Sequence, residues 1–296
     1  MSDVFTAIDQ IVLSDGLTAA RVCDVLAVSR SGFYAWRRDV KSHRELKDRE
    51  LIPMIHEIYW IHRGRYGARR IAAELGRRNV LCGVGRVARL LKNQGLRAIQ
   101  PKSYTPRTTN SRHRLGYDEN LLADAAKPTA INQVWVGDIT YIPIRSGTFG
   151  YCAVLMDLYS RRIVGWSYRQ TMTEELVIEA LSMAIKTRRP SAGLIHHSDR
   201  GGQYAGKRYR AMLVRASMSQ SMSAAGNCYD NAFMESCFGT LKTELSMEDY
   251  AGHADALREI RTYVSYYNVD RIHSSLGYVT PCEFELQPQP VSVTTK

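Results

Sequence analysis

Three acidic residues sit where a carboxylate is either costly or tellingly spaced. Asp138 lies within QVWVGDITYIPI, an alternating stretch of β-branched and aromatic residues that predicts a strand. Asp199 follows GLIHHS, expected to be a short buried strand, and Glu235 lies within YDNAFMESCFGTLKTELS, expected to be a long helix. An Asp inside an apolar strand is expensive to bury unless it is paired or bound to a metal. Three ionised carboxylates brought together repel one another, and a divalent cation that prefers oxygen donors reverses that sign. Two such cations about 3.5–4 Å apart can activate a hydroxyl and stabilise the leaving oxygen of a phosphodiester. Taken singly, each acid has a plainer explanation: an edge residue, a turn former before Arg200-Gly201-Gly202, a solvent-facing helix residue. The spacing adds weight. Thirty-five residues separate Asp199 from Glu235, and Lys242 follows Glu235 by seven positions. Seven residues are two helical turns, about 10.5 Å on one face. Asn231, four before Glu235, shares that face. Asn231, Glu235 and Lys242 thus form a polar stripe of amide, carboxylate and ammonium.

These groups need a scaffold. YCAVLMDLYS and RRIVGWSYR predict two further strands, with turns at Ser146-Gly147 and Tyr159–Arg161, so the first three strands form an antiparallel meander. TEELVIEALSMAIKTRR predicts a helix, as do GGQYAGKRYRAMLVRAS and HADALREIRTYVSYYN, and MSQSMS is a brief extended segment. The order βββ-α-β-α-β-α-α argues for one mixed α/β domain. Asp157 is expected to be structural, and Asp230 a helix cap. His196 and His197 are read as packed strand residues, Trp135 and Trp166 as core, and Gly201 and Gly202 as turn residues.

The charge is local. The chain of 296 residues carries a formal net charge of +11, yet residues 51–117 hold 14 basic and 2 acidic side chains, and the flanking stretches are close to neutral. Clustered cations suit phosphate neutralisation and counterion release. Within SDGLTAARVCDVLAVSRSGFYAWRR, apolar Leu17, Ala20, Val25, Leu26 and Val28 recur at helical spacing. A second short helix starts near Ser31, so the segment reads as a helix-turn-helix. Leu51, Ile52, Ile55, Ile58 and Tyr59 mark an amphipathic helix. YGARRIAAELGRRN and VLCGVGRVARLLKNQGLR repeat the two-helix theme, with Ile71, Leu75, Val87, Leu90 and Leu91 inside. Arg69, Arg70, Arg77, Arg78, Arg86, Arg89, Lys92 and Arg97 decorate this second unit, which makes it the expected DNA grip. Residues 98–117 lack periodicity and read as a basic linker.

The motifs WVGDITYI, HSDRGGQY and NAFMESCFGTLKTE resemble the catalytic core of bacterial insertion-sequence transposases and retroviral integrases, in which two Asp and a Glu 35 residues on bind metal. The closer resemblance is to the OrfB-type products of the IS-three family, which YYNVDRIHSSLGYVTPCEF, SRSGFYAWRR and YGARRIAAEL also resemble. The resemblance implies a ribonuclease-H-like catalytic core, a mixed sheet flanked by helices, preceded by an all-α helix-turn-helix DNA-binding region. The expected layout is a helix-turn-helix over 1–50, a second basic module over 51–97 and a linker over 98–130. An integrase-like core over 131–250 and a C-terminal helix and tail over 251–296 complete it.

The resemblance further implies that Asp138, Asp199 and Glu235 are catalytic and hold two Mg²⁺ ions, with Mn²⁺ as a substitute. Lys242, and Asn231 beside it, would contact DNA near the scissile phosphate; Arg271 and His273 are possible DNA or active-site contacts. The reaction would be nicking at an element end, then attack of the freed 3′-OH on another phosphodiester, through a circular element intermediate in a copy-out, paste-in route. Two ends call for a homo-oligomer on double-stranded DNA. An upstream-frame product is a further expected partner, because members of the family are commonly joined to one by frameshifting and no heptad run of three or more repeats occurs here. Two other readings stay open at this level: a DNA-binding regulator with an inert core, and a ribonuclease-H-like nuclease. Six scattered cysteines without a CxxC pair read as reduced thiols and imply no zinc site. No apolar run reaches the roughly 18 residues of a membrane span and no basic-then-apolar leader is present, so a bacterial cytoplasmic, nucleoid-associated protein is expected.

Overall fold

The computed structural model describes residues 2–38, 43–99, 116–123, 127–223, 239–245 and 250–287. The chain forms two compact units, residues 1–97 and 98–296. No helix among the described residues is long and apolar enough to cross a membrane.

The first unit is helical. α1 (Ser2–Ser14), α2 (Ala19–Val25) and α3 (Arg30–Arg37) enclose Phe5, Ile8, Ala19, Val22, Cys23 and Phe33. The Ser29 hydroxyl caps α3 by accepting the Gly32 N–H at 3.2 Å. α1 was not anticipated, and it changes which face of α2 is buried. Phe5 and Ile8 of α1 lie in the core with Ala19, Val22 and Cys23, so Leu17, Val25 and Leu26 of the expected apolar face are exposed. α4 (His43–Ile61), α5 (Ala68–Arg77) and α6 (Val84–Asn93) complete the unit. Here the expected interior holds apart from Ile52, which is only half-buried: Leu51, Ile55, Ile58, Tyr59, Ile71, Leu75, Val87, Leu90 and Leu91 are all buried. α4 runs unbroken through positions 50 and 51, so the division expected there does not coincide with the end of an element.

The second unit is a five-stranded mixed sheet between two helical layers. β1 (Val134–Pro143), β2 (Phe149–Asp157) and β3 (Ile163–Arg169) form the expected antiparallel meander. β4 (Ile195–Ser198) and β5 (Ser219–Met222) add parallel strands on the other side of β1, giving the order β3-β2-β1-β4-β5. Strand alternation sorts the two faces. Trp135, Ala153 and Leu155 pack with α7 (Glu174–Arg188) and α8 (Lys207–Arg215). Val134, Val136 and Ile142 pack with Leu241 and Leu245 of α9 (residues 239–245) and with Ile260, Tyr263 and Tyr267 of α10 (His253–Val269). Gly165 lets α7 approach the sheet, since a Cβ there would lie 2.2 Å from the Ala180 carbonyl oxygen.

Three differences from the sequence reading have physical causes. α8 begins at Lys207 rather than at Gly201, because residues 201–206 form a turn whose first N–H, from Gly201, is donated to Asp199 Oδ1 at 3.0 Å. α10 shares a core with β1 and β2, so position 250/251 is no structural boundary. A short helix, α11 (Pro281–Leu286), follows, capped by Thr280 and Glu283. Its Glu285 accepts from Arg188 at 2.8 and 2.9 Å and from the Ser160 hydroxyl at 2.8 Å, which ties the C-terminal segment to the β2–β3 turn and the end of α7.

Candidate active site

Asp138 and Asp199 meet at the centre of the sheet. The β1–β4 ladder pairs Trp135 with His196 and Val136 with His197. Two further residues along that register set Asp138 beside Asp199, where neighbouring strands run about 4.8 Å apart. Asp138 shares the parity of Val134 and Val136, so its side chain faces the α9–α10 layer. Its Oδ1 accepts the Ile139 N–H at 2.8 Å, and its Oδ2 lies 2.5 Å from Lys242 Nζ on α9. Burial pushes the Asp138 carboxyl above its ordinary range, Lys242 pulls it back, and the negative charge of Asp199 raises it again. The effect of Asp199 on Asp138 is the electrostatic sign of two carboxylates crowded at one place. Beneath them, Gly137 keeps room for His196, whose Nε2 would lie 3.0 Å from a Cβ at that position.

Lys242 is therefore brought to the site, at the first of the two acids. Asn231 and Glu235 lie outside the described residues. Among the described residues, no three His, Cys, Asp or Glu side chains gather as a metal site. The two adjacent carboxylates are hard oxygen donors with surplus negative charge, a donor set that fits Mg²⁺.

Arg271, expected as a possible DNA or active-site contact, lies inside the protein. Its side chain is 1% exposed and paired with the equally buried Glu244 at 2.7 Å, so no donor faces solvent. His273 is buried beside it, its ring 3.3 Å from Arg271 Nη1. Glu244 gave no signal of its own in the sequence, except that an acid one residue before Leu245 shares the buried side of a helix. Asp157 is fully buried, and its carboxylate accepts the N–H groups of Asn132 at 2.6 Å and of Tyr159 and Ser160 at 3.0 Å. His196 lies 2.9 Å from the Tyr209 hydroxyl and His197 lies 2.8 Å from that of Ser221, both buried. Burial holds the His196 ring neutral, with its pKa lowered to about 3. Trp135 is fully buried, and Trp166 packs half-buried on the α10 side.

In the helical unit, Arg69, Arg77, Lys92 and Arg97 are exposed. Arg70 lies 5.8 Å from the centre of the Tyr66 ring, and Arg78 pairs with Glu57 at 3.0 Å. Arg86 and Arg89 both reach Asp48 of α4, at 2.7 and 2.6 Å. Their two hydrogen bonds hold the Asp48 carboxyl below its ordinary value, Arg89 contributing most. Sequence reasoning missed Asp48. Its signal was an acid at the head of the buried series 48, 51, 55, 58.

Comparison with known proteins agrees with this arrangement. The family description "Integrase core domain" matches residues 128–228, a second of the same description matches 216–281, and "HTH-like domain" matches 45–104. A Shigella sonnei protein, "Insertion element IS600 uncharacterized 31 kDa protein", is 43% identical over 265 residues, covering 89% of this chain and 97% of that one. The Escherichia coli K12 "Transposase InsF for insertion sequence IS3A" is 38% identical over 268 residues, covering 89% of this chain and 92% of its own. The chain belongs to the insertion-sequence transposases of the IS3 type. Among solved structures, a simian T-cell lymphotropic virus intasome aligns at a TM-score of 0.46 and 15% identity, over 82% of this chain and 79% of that one. The family assignment rests on the curated relatives. For this transposase, the expected mixed sheet flanked by helices, preceded by an all-α helix-turn-helix region, holds. The helix-turn-helix match begins in α4 and covers α5 and α6, the basic pair, rather than residues 1–38.

Proposed function

We propose that this transposase nicks the ends of its insertion element and joins the freed 3′-OH to another phosphodiester, with Asp138, Asp199 and Glu235 as the metal-holding acids. The observation that carries the reading is the crowding of Asp138, in the middle of β1, against Asp199, just past the end of β4, with Lys242 turned onto the first of them. Bound there, two Mg²⁺ ions, or Mn²⁺ in their place, supply Lewis-acid stabilisation to the attacking and leaving oxygens. The protein groups do the rest. The strand backbone and the Ile139 and Gly201 N–H groups fix both carboxylates before substrate arrives, so little reorganisation is left for the reacting state. Lys242, more than one-third exposed, moves from Asp138 to a phosphate oxygen next to the scissile bond, with Asn231 aligning the strand beside it. The nucleophile is water in the nicking step and the 3′-OH in the joining step. Neither step requires a covalent protein–DNA bond.

The exposed cations Arg69, Arg77, Lys92 and Arg97 supply grip on double-stranded DNA, sorted as phosphate contacts. Residues 1–97 act as the DNA-binding part, 98–130 as the connection and 131–287 as the catalytic body. Two DNA ends require two active sites, so the working form is a homo-oligomer on DNA, with an upstream-frame product as a further partner. The test is a joining assay on a pre-nicked end. Product that forms in Mg²⁺ and vanishes in EDTA supports the reading. Undiminished joining in EDTA overturns it, and DNA binding without any joining under every metal condition would favour a regulator.

A further inference from the structure

The C-terminal stretch YYNVDRIHSSLGYVTPCEF contributes no group to the carboxylate pair, yet its Arg271 forms, with Glu244 of α9, the most completely buried ion pair among the described residues. We propose that Glu244 and Arg271 form a brace that sets the rotation of α9 and thereby aims Lys242 at the acid site. The proposal rests on the role of Lys242 given above.

The described residues of α9, 239–245, are fastened to the rest of the unit through their side chains. Leu241 and Leu245 are buried at 0% and 2% exposure and attach one side to the sheet. Apolar attachment is non-directional and tolerates sliding and turning. Lys242 and Glu244 are two residues apart and so point about 200° away from one another. The first meets Asp138; the second turns inward to Arg271. Glu244 Oε1 accepts from Arg271 Nη2 at 2.7 Å, both its oxygens lie 3.2 Å from Arg271 Nε, and its Oε2 accepts the Tyr263 hydroxyl at 2.9 Å. Arg271 in turn lies 5.6 Å from the centre of the Tyr267 ring and 3.3 Å from His273. Tyr263 and Tyr267 are one turn apart on α10, so the brace fastens α9 to a helix that is itself in the core.

An ion pair is a poor way to gain stability in such a place, because desolvating both charges offsets most of their attraction and an apolar pair of like volume often does as well. What a planar, forked guanidinium offers is direction. A one-residue slip of α9 would rotate Lys242 by about 100° and shift it about 1.5 Å, out of reach of Asp138.

The test replaces the brace by apolar groups: Glu244→Met, Arg271→Met and Tyr263→Phe together, in the full chain. The expected variant melts within about 5 °C of the parent and binds element-end DNA within a few fold. Its joining rate falls at least about tenfold, as ångström-scale misplacement produces, with the loss in kcat and not in KM for DNA. Parental joining by a folded triple variant would overturn the proposal. Should the triple variant not fold, Glu244→Asp is measured in the parent and in Lys242→Ala. The brace predicts a loss only where Lys242 is present. Equal losses in both backgrounds would overturn the brace alone, and full activity of Lys242→Ala by itself would remove the reading of Lys242 and the brace with it.

Discussion

In the helical unit one acid holds two arginines, whereas in the sheet unit two acids lie side by side and Lys242 pairs with one of them. Asp48 takes Arg86 and Arg89, which leaves that cluster with surplus positive charge. Asp138 and Asp199 with Lys242 leave surplus negative charge. On the proposed function, the same three-charge motif, inverted, would attract phosphate in one unit and a cation in the other. Elsewhere in the sheet unit, Glu244 and Arg271 balance one another and Asp157 is saturated by backbone donors, while Glu285 ties Arg162 and Arg188 together.

The largest effect that would sharpen this contrast is the response of DNA binding to salt. If the helical unit neutralises about 6–10 phosphates, affinity should fall roughly 10³–10⁵-fold between 50 and 200 mM salt. Removing Arg69, Arg77, Lys92 and Arg97 together, as glutamines, should lower the log–log slope by about 3–4 units. Binding titrations by fluorescence anisotropy check both, and an unchanged slope would place the grip elsewhere.

Acid should act on the two units in separate windows. The unfolded chain protonates His196 near its ordinary value of 6.5, while the buried ring stays neutral down to about pH 3. The unfolded state therefore binds more protons, and core stability falls as pH drops below 6.5, by about 1.4 kcal/mol per pH unit. Asp48 is held below its ordinary value of 3.8, so its contribution is complete above that pH and is lost only as pH falls through the lower folded value. Thermal melts between pH 7.5 and 3 should show the upper limb flatten in His196→Gln and the lower limb flatten in Asp48→Asn. A single shared window in both variants would break the comparison.

The smallest effect concerns Asp48 at neutral pH. Asp48→Asn removes the negative charge that pairs with Arg86 and Arg89, so affinity for DNA at low salt should rise a few fold while the melting temperature falls. A drop in affinity would mean that Asp48 aims those arginines rather than offsetting them.

Local pattern carried much of this structure, and its limits are specific. Alternation marked β1 to β3, and helical periodicity marked α5, α6, α7 and α10, because each of those elements buries a regular face. The adjacency of Asp138 and Asp199 was legible through spacing and resemblance, not through periodicity. α1 was missed although Phe5 and Ile8 already stand three apart, and that omission misassigned the buried face of α2. Asp48, Glu244 and Glu285 were missed for one reason. Each is buried through partners 19 to 125 residues away along the chain, and a one-dimensional pattern cannot name the partner that makes burial of a charge affordable. For the same reason the sequence, which offered Arg271 as a possible DNA or active-site contact, could not show that its counter-charge lies inside.

The inverted charge balance is tested most directly by measuring joining rate and DNA affinity on the same preparations of Asp138→Asn, Asp199→Asn and Glu235→Gln. The account predicts that each variant loses joining while its affinity for element-end DNA stays within a few fold of the parent. Full joining by the three variants, or a loss of affinity as large as the loss of joining, would contradict it.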